Sequence, residues 1–326
     1  MVGSPSPQGC IDVLFFFGLG LWTVGLSLLG YLSNGGALGI DDADIFFGYA
    51  ENLAAGNGIT YSSGVPVVEG YTSTAWMLLA AAMFFLGANE IGVYVLGLAI
   101  FFFSQVLAVS IIKGLLPITS AFVVATTLYV FLISGSFGYV AWTTLTLMDT
   151  GLWGLVVLWM VRTVMFNPST LPGWALGAIP FFLSPLARPE ALLLVPVLLV
   201  LFLAVRIWDR LTLRPALILF GVFLLSSLAL TSFRLIYFGF PFPNTYYAKV
   251  SPSFGYNFSE GVKYLYAFMS ENPFASIALP FVLFIFLFSA KVFLGTERVQ
   301  GPDGLTKGCV PGSGVISRFS SVGSSM

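Results

Sequence analysis

The chain contains no histidine. That absence removes any histidine-dependent zinc site or catalytic triad. Proton and group-transfer chemistry therefore falls to Asp, Glu, Lys, Arg or Tyr. Cysteine is nearly as scarce. Cys10 and Cys309 stand at opposite ends of the 326 residues, which excludes a disulfide framework and a cysteine metal cluster. Charge is scarce too, at 8% of residues, where soluble domains carry roughly 25%. There is no basic excess: net charge is -1 and pI ≈ 5.4, which leaves no footprint for nucleic acid.

What is abundant is apolar. Hydrophobic residues make up 58% of the chain, 33 of them Phe, and mean hydropathy is +0.96. The sequence reads as an all-α polytopic membrane bundle with about eight spans. Apolar runs lie near 12–32, 92–112, 116–133, 150–165, 215–237 and 274–293. The stretch 172–205 is broken by Arg188-Pro189-Glu190 and reads as two passes meeting at a polar turn. The first run lacks a basic flank and a cleavage signature, so it reads as a retained span. Residues 74–87 are too few to cross and suit a re-entrant or tilted segment.

Orientation follows from counting. With 74–87 not crossing and the N-terminus inside, Lys113, Arg162, Arg206, Arg210, Arg214, Lys291, Arg298, Lys307 and Arg318 all lie inside. That is nine of the 13 basic residues. Most acids then face the non-cytoplasmic side. The organisation expected is a membrane domain over 1–298 and a disordered Gly/Ser-rich tail over 299–326. No internal repeat is evident, which weakens an inverted-repeat transporter.

Residues 40–56 (IDDADIFFGYAENLAAG) pattern as a short amphipathic interfacial helix. Phe46, Tyr49, Ala50 and Leu53 form its apolar stripe. Asp41 or Asp42 is the expected N-cap, and Gly56 the stop. Three acids (Asp41, Asp42 and Asp44) in one turn exceed what capping needs, yet capping and a solvated face remain the plain alternative. Glu69, in EGYT before the short segment, can orient a substrate hydroxyl or be an ordinary loop acid. Asp149 stands at the mouth of a span, where an acid needs a partner or a polar cavity; a helix-dipole role is the alternative. Arg188 can grip a phosphate or pair with Glu190. The loop FRLIYFGFPFPNTYYAKV (233–250) supplies Arg234, Asn244, Tyr246, Tyr247 and Lys249, with Lys249 the better sign of an anionic ligand. Together these suit a lipid-linked phosphate donor and a hydroxyl acceptor.

Four blocks carry a resemblance. They are Asp41-Asp42-Ala43-Asp44 through Glu69-Gly70-Tyr71-Thr72-Ser73; Met148-Asp149-Thr150; Ala187-Arg188-Pro189-Glu190; and Pro243-Asn244-Thr245-Tyr246-Tyr247-Ala248-Lys249. In order and spacing they resemble a GT-C membrane glycosyltransferase family that includes a mycobacterial terminal arabinofuranosyltransferase. The resemblance implies a polyprenyl-phosphate sugar donor, a cell-envelope glycan acceptor and inverting transfer at the non-cytoplasmic face of the plasma membrane. Asp41 and Asp42 match the catalytic pair. Asp44, Glu69, Tyr71, Asp149, Arg188, Glu190, Asn244, Tyr247 and Lys249 are the candidate substrate-binding residues, with Asp149 and Glu69 expected to shape the sugar site and Arg188 and Lys249 to hold the donor phosphate. A divalent cation is a candidate cofactor, since carboxylate pairs often hold one. Three positions depart from the pattern: Gly48 stands where Arg is common, Asn57 where His is common, and Asp149 where Glu is common. Family members are usually longer, so an inactive truncated copy is one alternative, and a lipid-linked-sugar flippase another.

Overall fold

The computed structural model describes residues 7–62, 64, 67–115, 120–135, 137–166, 171–208 and 212–271. All belong to the first of two units, Met1–Ile277 and Ala278–Met326. The expected span at 274–293 and the tail lie outside the described residues. Those described form helices and turns only: α1 (Pro7–Ser33), α2 (Asp41–Ala54), α3 (Thr74–Phe85), α4 (Glu90–Leu115), α5 (Ser120–Gly135), α6 (Phe137–Thr144), α7 (Thr150–Phe166), α8 (Leu171–Ala187), α9 (Ala191–Trp208), α10 (Arg214–Tyr237), α11 (Asn244–Lys249) and α12 (Phe254–Glu271).

The all-helical reading holds for these residues, and the break at Arg188-Pro189-Glu190 does separate α8 from α9. Two helices, α4 and α10, are long and apolar enough to cross a membrane. Only 39% and 33% of their most apolar windows are buried, and apolar side chains such as Ile91, Val95 and Phe103 of α4 and Leu217, Leu225 and Ile236 of α10 are exposed. The other described apolar stretches, in α1, α3, α7, α8 and α9, are shorter. At 12 residues, α3 is about 18 Å long and cannot span hydrocarbon of about 30 Å.

Local chemistry explains several elements. The Ser73 hydroxyl caps α3 by accepting from the Trp76 amide at 3.2 Å. Helix α4 carries Glu90 in its first turn and Lys113 in its last, each at the favourable end of the helix dipole. Inside α8, Pro185 lacks the amide that would reach the Phe181 carbonyl. The Ser184 hydroxyl donates to that carbonyl instead at 2.9 Å, and Ser226 of α10 donates to the next carbonyl, Phe182 O, at 2.6 Å. The proline-broken ladder is thus repaired locally and tied to α10.

Helix directions decide where the loops meet. Ser27, near the end of α1, bonds Tyr94 near the start of α4 (2.9 Å) and Thr144 at the end of α6 (2.8 Å). The chain therefore leaves α1 and enters α4 at the same end of the bundle, with α2 and α3 between them. Helices α4 and α7 run parallel: a Cβ on Gly151 would meet Ile100, and Arg162 bonds Ser110 at 2.9 Å. The starts of α4, α7 and α9 and the ends of α1, α6, α8 and α10 share one end. Asp41, Asp42, Asp44, Glu69, Glu90, Asp149 and Glu190 lie there, whereas Lys113, Arg162, Arg206 and Arg214 lie towards the other.

Candidate functional site

Helix α2 holds the expected catalytic pair. Its first turn carries Asp41, Asp42 and Asp44, all exposed. The N-cap is Ile40, one residue before Asp41 and two before Asp42, the expected caps, and no side chain caps the helix. The carboxylates sit inside the first turn, beside the positive end of the dipole, with their side chains directed to solvent. The far end behaves as the sequence implied. Gly56, at φ +82, closes the helix through Gly56 N to Leu53 O (3.1 Å) and Asn57 N to Asn52 O (2.9 Å). The apolar side differs from the interfacial expectation. Ala43, Phe46, Phe47, Tyr49 and Ala50 are buried, and Phe47 meets Phe84 of α3 edge-on. Protein covers the stripe, because the short α3 returns the chain alongside α2.

A surface cavity of about 300 Å³ opens beside the start of α2, lined by Gly30, Ser33, Asn34, Gly39, Ile40, Ala141, Leu145 and Thr146. Its volume is at the lower end of ligand pockets. The entry to α2 is fixed on the loop after α6 by Gly39 N donating to Leu145 O at 2.8 Å. In that loop Leu147 adopts φ 57, uncommon for a residue with a side chain. Its carbonyl accepts from the buried Trp76 indole at 2.9 Å. Such strain persists only where neighbours enforce it, and here it turns the chain into Met148-Asp149.

Asp149 is fully buried and Arg188 is a quarter exposed. Arg188 Nη2 donates to Asp149 Oδ1 at 2.8 Å, and Glu190 stands 3.7 Å from Nη1. The pair is incomplete: Asp149 Oδ2 and Arg188 Nε are buried without a hydrogen-bond partner. Burial pushes the Asp149 carboxyl up to about 6, opposed by the Arg188 charge and reinforced by Glu190.

Glu69 and Arg234 form a second pair. Arg234 Nε lies 2.8 Å from Oε2 and 3.1 Å from Oε1, and Nη2 lies 2.9 Å from Oε1. Both side chains are buried. Burial raises the Glu69 carboxyl, and the Arg234 hydrogen bonds and charge oppose it. The Glu69 carbonyl also accepts from Asn244 N at 2.9 Å, which joins the first loop to α11. Glu69 is therefore a brace whose carboxylate oxygens are held by Arg234 inside the protein. Tyr49 extends the brace, donating to Val68 O at 2.6 Å and accepting from Gly70 N at 3.0 Å. Tyr71 packs edge-on against Tyr49 with its hydroxyl buried and unpartnered, and burial raises that hydroxyl's pKa.

The remaining candidates are peripheral. Asn244 and Tyr247 are exposed, with Tyr247 packed on Tyr246 and Phe240. The Lys249 side chain lies outside the described residues. Gly48, where the resemblance led to an expected Arg, lies under the Tyr61 ring; a Cβ there would sit 2.9 Å from it. The sequence reading passed over Arg234 as a site residue, although its count as one of four outward cations was a signal. Trp76 gave no signal beyond its aromaticity. Among the described residues no group of three or more His, Cys, Asp or Glu is placed to hold a metal ion. No protein-family model, curated protein or solved structure matches the chain.

Proposed function

We propose that the chain is a multi-pass membrane glycosyltransferase of the GT-C type, using a polyprenyl-phosphate sugar donor and a cell-envelope glycan acceptor at the non-cytoplasmic face. The observation that carries this reading is the half-satisfied Asp149–Arg188 pair, held at the same end of the bundle as the exposed Asp41 and Asp42 and the cavity beside them. Outward-facing apolar surface on α4 and α10 and the gathering of acids at one end support membrane insertion with that end outside.

The chemistry balances with these groups. An acceptor hydroxyl oxygen bonds to the anomeric carbon as the bond from that carbon to the donor phosphate oxygen breaks. The hydroxyl proton passes to Asp41 or Asp42, and its neighbour orients the acceptor. The departing polyprenyl phosphate takes the bonding electrons as an anion. Arg188, held by Asp149 and a quarter exposed, donates to it. Attack opposite the leaving group inverts the centre. Glu69 and Arg234 keep the loop over 67–73 in place and do not touch the sugar.

Replacing Asp41 and Asp42 together by Asn abolishes donor-dependent transfer while the protein still extracts with the membrane fraction. Turnover retained by that variant overturns the assignment. The pair is exposed and caps nothing, so folding loses little.

A further inference from the structure

Helix α12 is built unlike any other in the bundle. Its start is fixed by Ser253, whose hydroxyl accepts from Tyr256 N at 3.3 Å, and by Asn257, which exchanges two hydrogen bonds with the Ser251 backbone (2.7 and 3.1 Å). At 100° per residue, Phe254, Phe258, Val262, Leu265, Phe268 and Met269 fall within an arc of roughly 120°. Phe254, Phe258, Val262 and Leu265 are exposed, by 82%, 64%, 50% and 54%, whereas Met269 is half-buried. Tyr264 borders it on one side and Tyr266 on the other, both exposed. Opposite lie Tyr256, Ser259, Glu260, Lys263 and Ser270, with Lys263 and Glu260 paired at 2.6 Å. A soluble protein would not leave such a stripe to water, and the charged residues of α12 prevent it from spanning hydrocarbon.

We propose that α12 is an interfacial helix, lying in the plane of the outer leaflet with the Phe254–Leu265 stripe in the acyl boundary and Tyr264 and Tyr266 at headgroup level. Three observations select lipid as the occupant. Tyrosines edge the stripe on both sides, as amphipathic rings do at a membrane interface. The stripe follows in the chain on a run of exposed apolar and aromatic residues, Ile236 at the end of α10, then Phe240, Tyr246 and Tyr247. The helix carries two carboxylates and one ammonium, a formal -1, so aromatic burial rather than attraction to anionic lipid holds it. It would support the donor's lipid chain from the side of the loop over 240–250.

This inference rests on the membrane reading above, and its test separates the two. In a Cys10→Ser, Cys309→Ser background, single nitroxide labels are placed at Phe258→Cys and Leu265→Cys on the stripe. Further labels go at Ser259→Cys and Lys263→Cys opposite it, and at Leu225→Cys, an exposed site within α10. The full chain is reconstituted in phosphatidylcholine bilayers, and collision with oxygen is compared with collision with a water-soluble nickel chelate. The expected result is a several-fold higher oxygen-to-nickel ratio at 258 and 265 than at 259 and 263, unchanged when anionic lipid is added. Equal nickel access on both faces, with Leu225→Cys still lipid-exposed, overturns the interfacial helix and leaves the membrane reading intact. Access to neither reagent at 258 and 265 means that protein covers the stripe, and also overturns it. Nickel access at Leu225→Cys overturns the membrane reading itself.

Discussion

Two arginine–carboxylate pairs stand at the same end of the bundle and differ in one respect. Glu69–Arg234 is closed: both side chains are buried and three short hydrogen bonds join them. Asp149–Arg188 is open: one hydrogen bond joins them, one oxygen and one guanidinium nitrogen have no partner, and the arginine reaches the surface. Residue chemistry is nearly the same in both, so satisfaction rather than identity separates a structural brace from a group left able to hold a ligand. A buried pair with every bond made resists change, whereas an incomplete one at a surface retains unspent donor and acceptor capacity.

The contrast is broken most severely at the closed pair. Glu69→Ala leaves the Arg234 guanidinium buried without its counter-charge and costs about 3–5 kcal/mol of stability. A large fall in the thermal midpoint of the detergent-solubilised protein checks this. A loss below about 1 kcal/mol would mean that water reaches Arg234. The open pair responds the other way round. Arg188→Ala costs roughly 1–2 kcal/mol of stability, because Asp149 then takes up a proton rather than remaining charged. Donor-dependent transfer falls about 100-fold or more, as expected for losing one donor to the leaving group. Equal damage to stability and transfer in both variants would erase the distinction.

The pH dependence is the most diagnostic. Burial raises the folded-state Asp149 carboxyl from 3.8 to about 6. Between those values the folded protein binds the proton more tightly than the unfolded chain. Asp149 therefore contributes stability below about pH 4 that is lost as pH rises through about 6. Asp149→Asn removes that fall, so the variant gains on the parent from about pH 4 to about pH 7 while differing little in the acid range. Thermal midpoints across that range read the difference. Parallel curves would show that Asp149 titrates at an ordinary carboxylate value.

Much of this was legible in the residues. The break at Arg188-Pro189-Glu190 was visible because two charges and a proline interrupt an apolar run, and the shortness of 74–87 was visible because length alone decides crossing. Gly56 announced the end of α2, since only a residue at ease with positive φ closes a helix that way. Other features were not legible. The N-cap lies one or two residues before the expected Asp41 or Asp42, because side-chain preference suggests Asp where the backbone turns at Ile40. The stripe of α2 had the pattern of a lipid-facing helix, and pattern does not say whether lipid or α3 covers it. Arg234 lies 165 residues from Glu69 in the chain, a separation across which no local rule operates.

Composition and periodicity by themselves determined that this chain is helical and apolar, with its acids gathered away from most of its bases. Those properties follow from side-chain chemistry and from spacing along one helix. Only the tertiary structure decided which acid meets which arginine, and how completely. Partnership depends on helix direction and on where loops remote in sequence return, and burial then fixes whether a charge is held fast or left with capacity to spare.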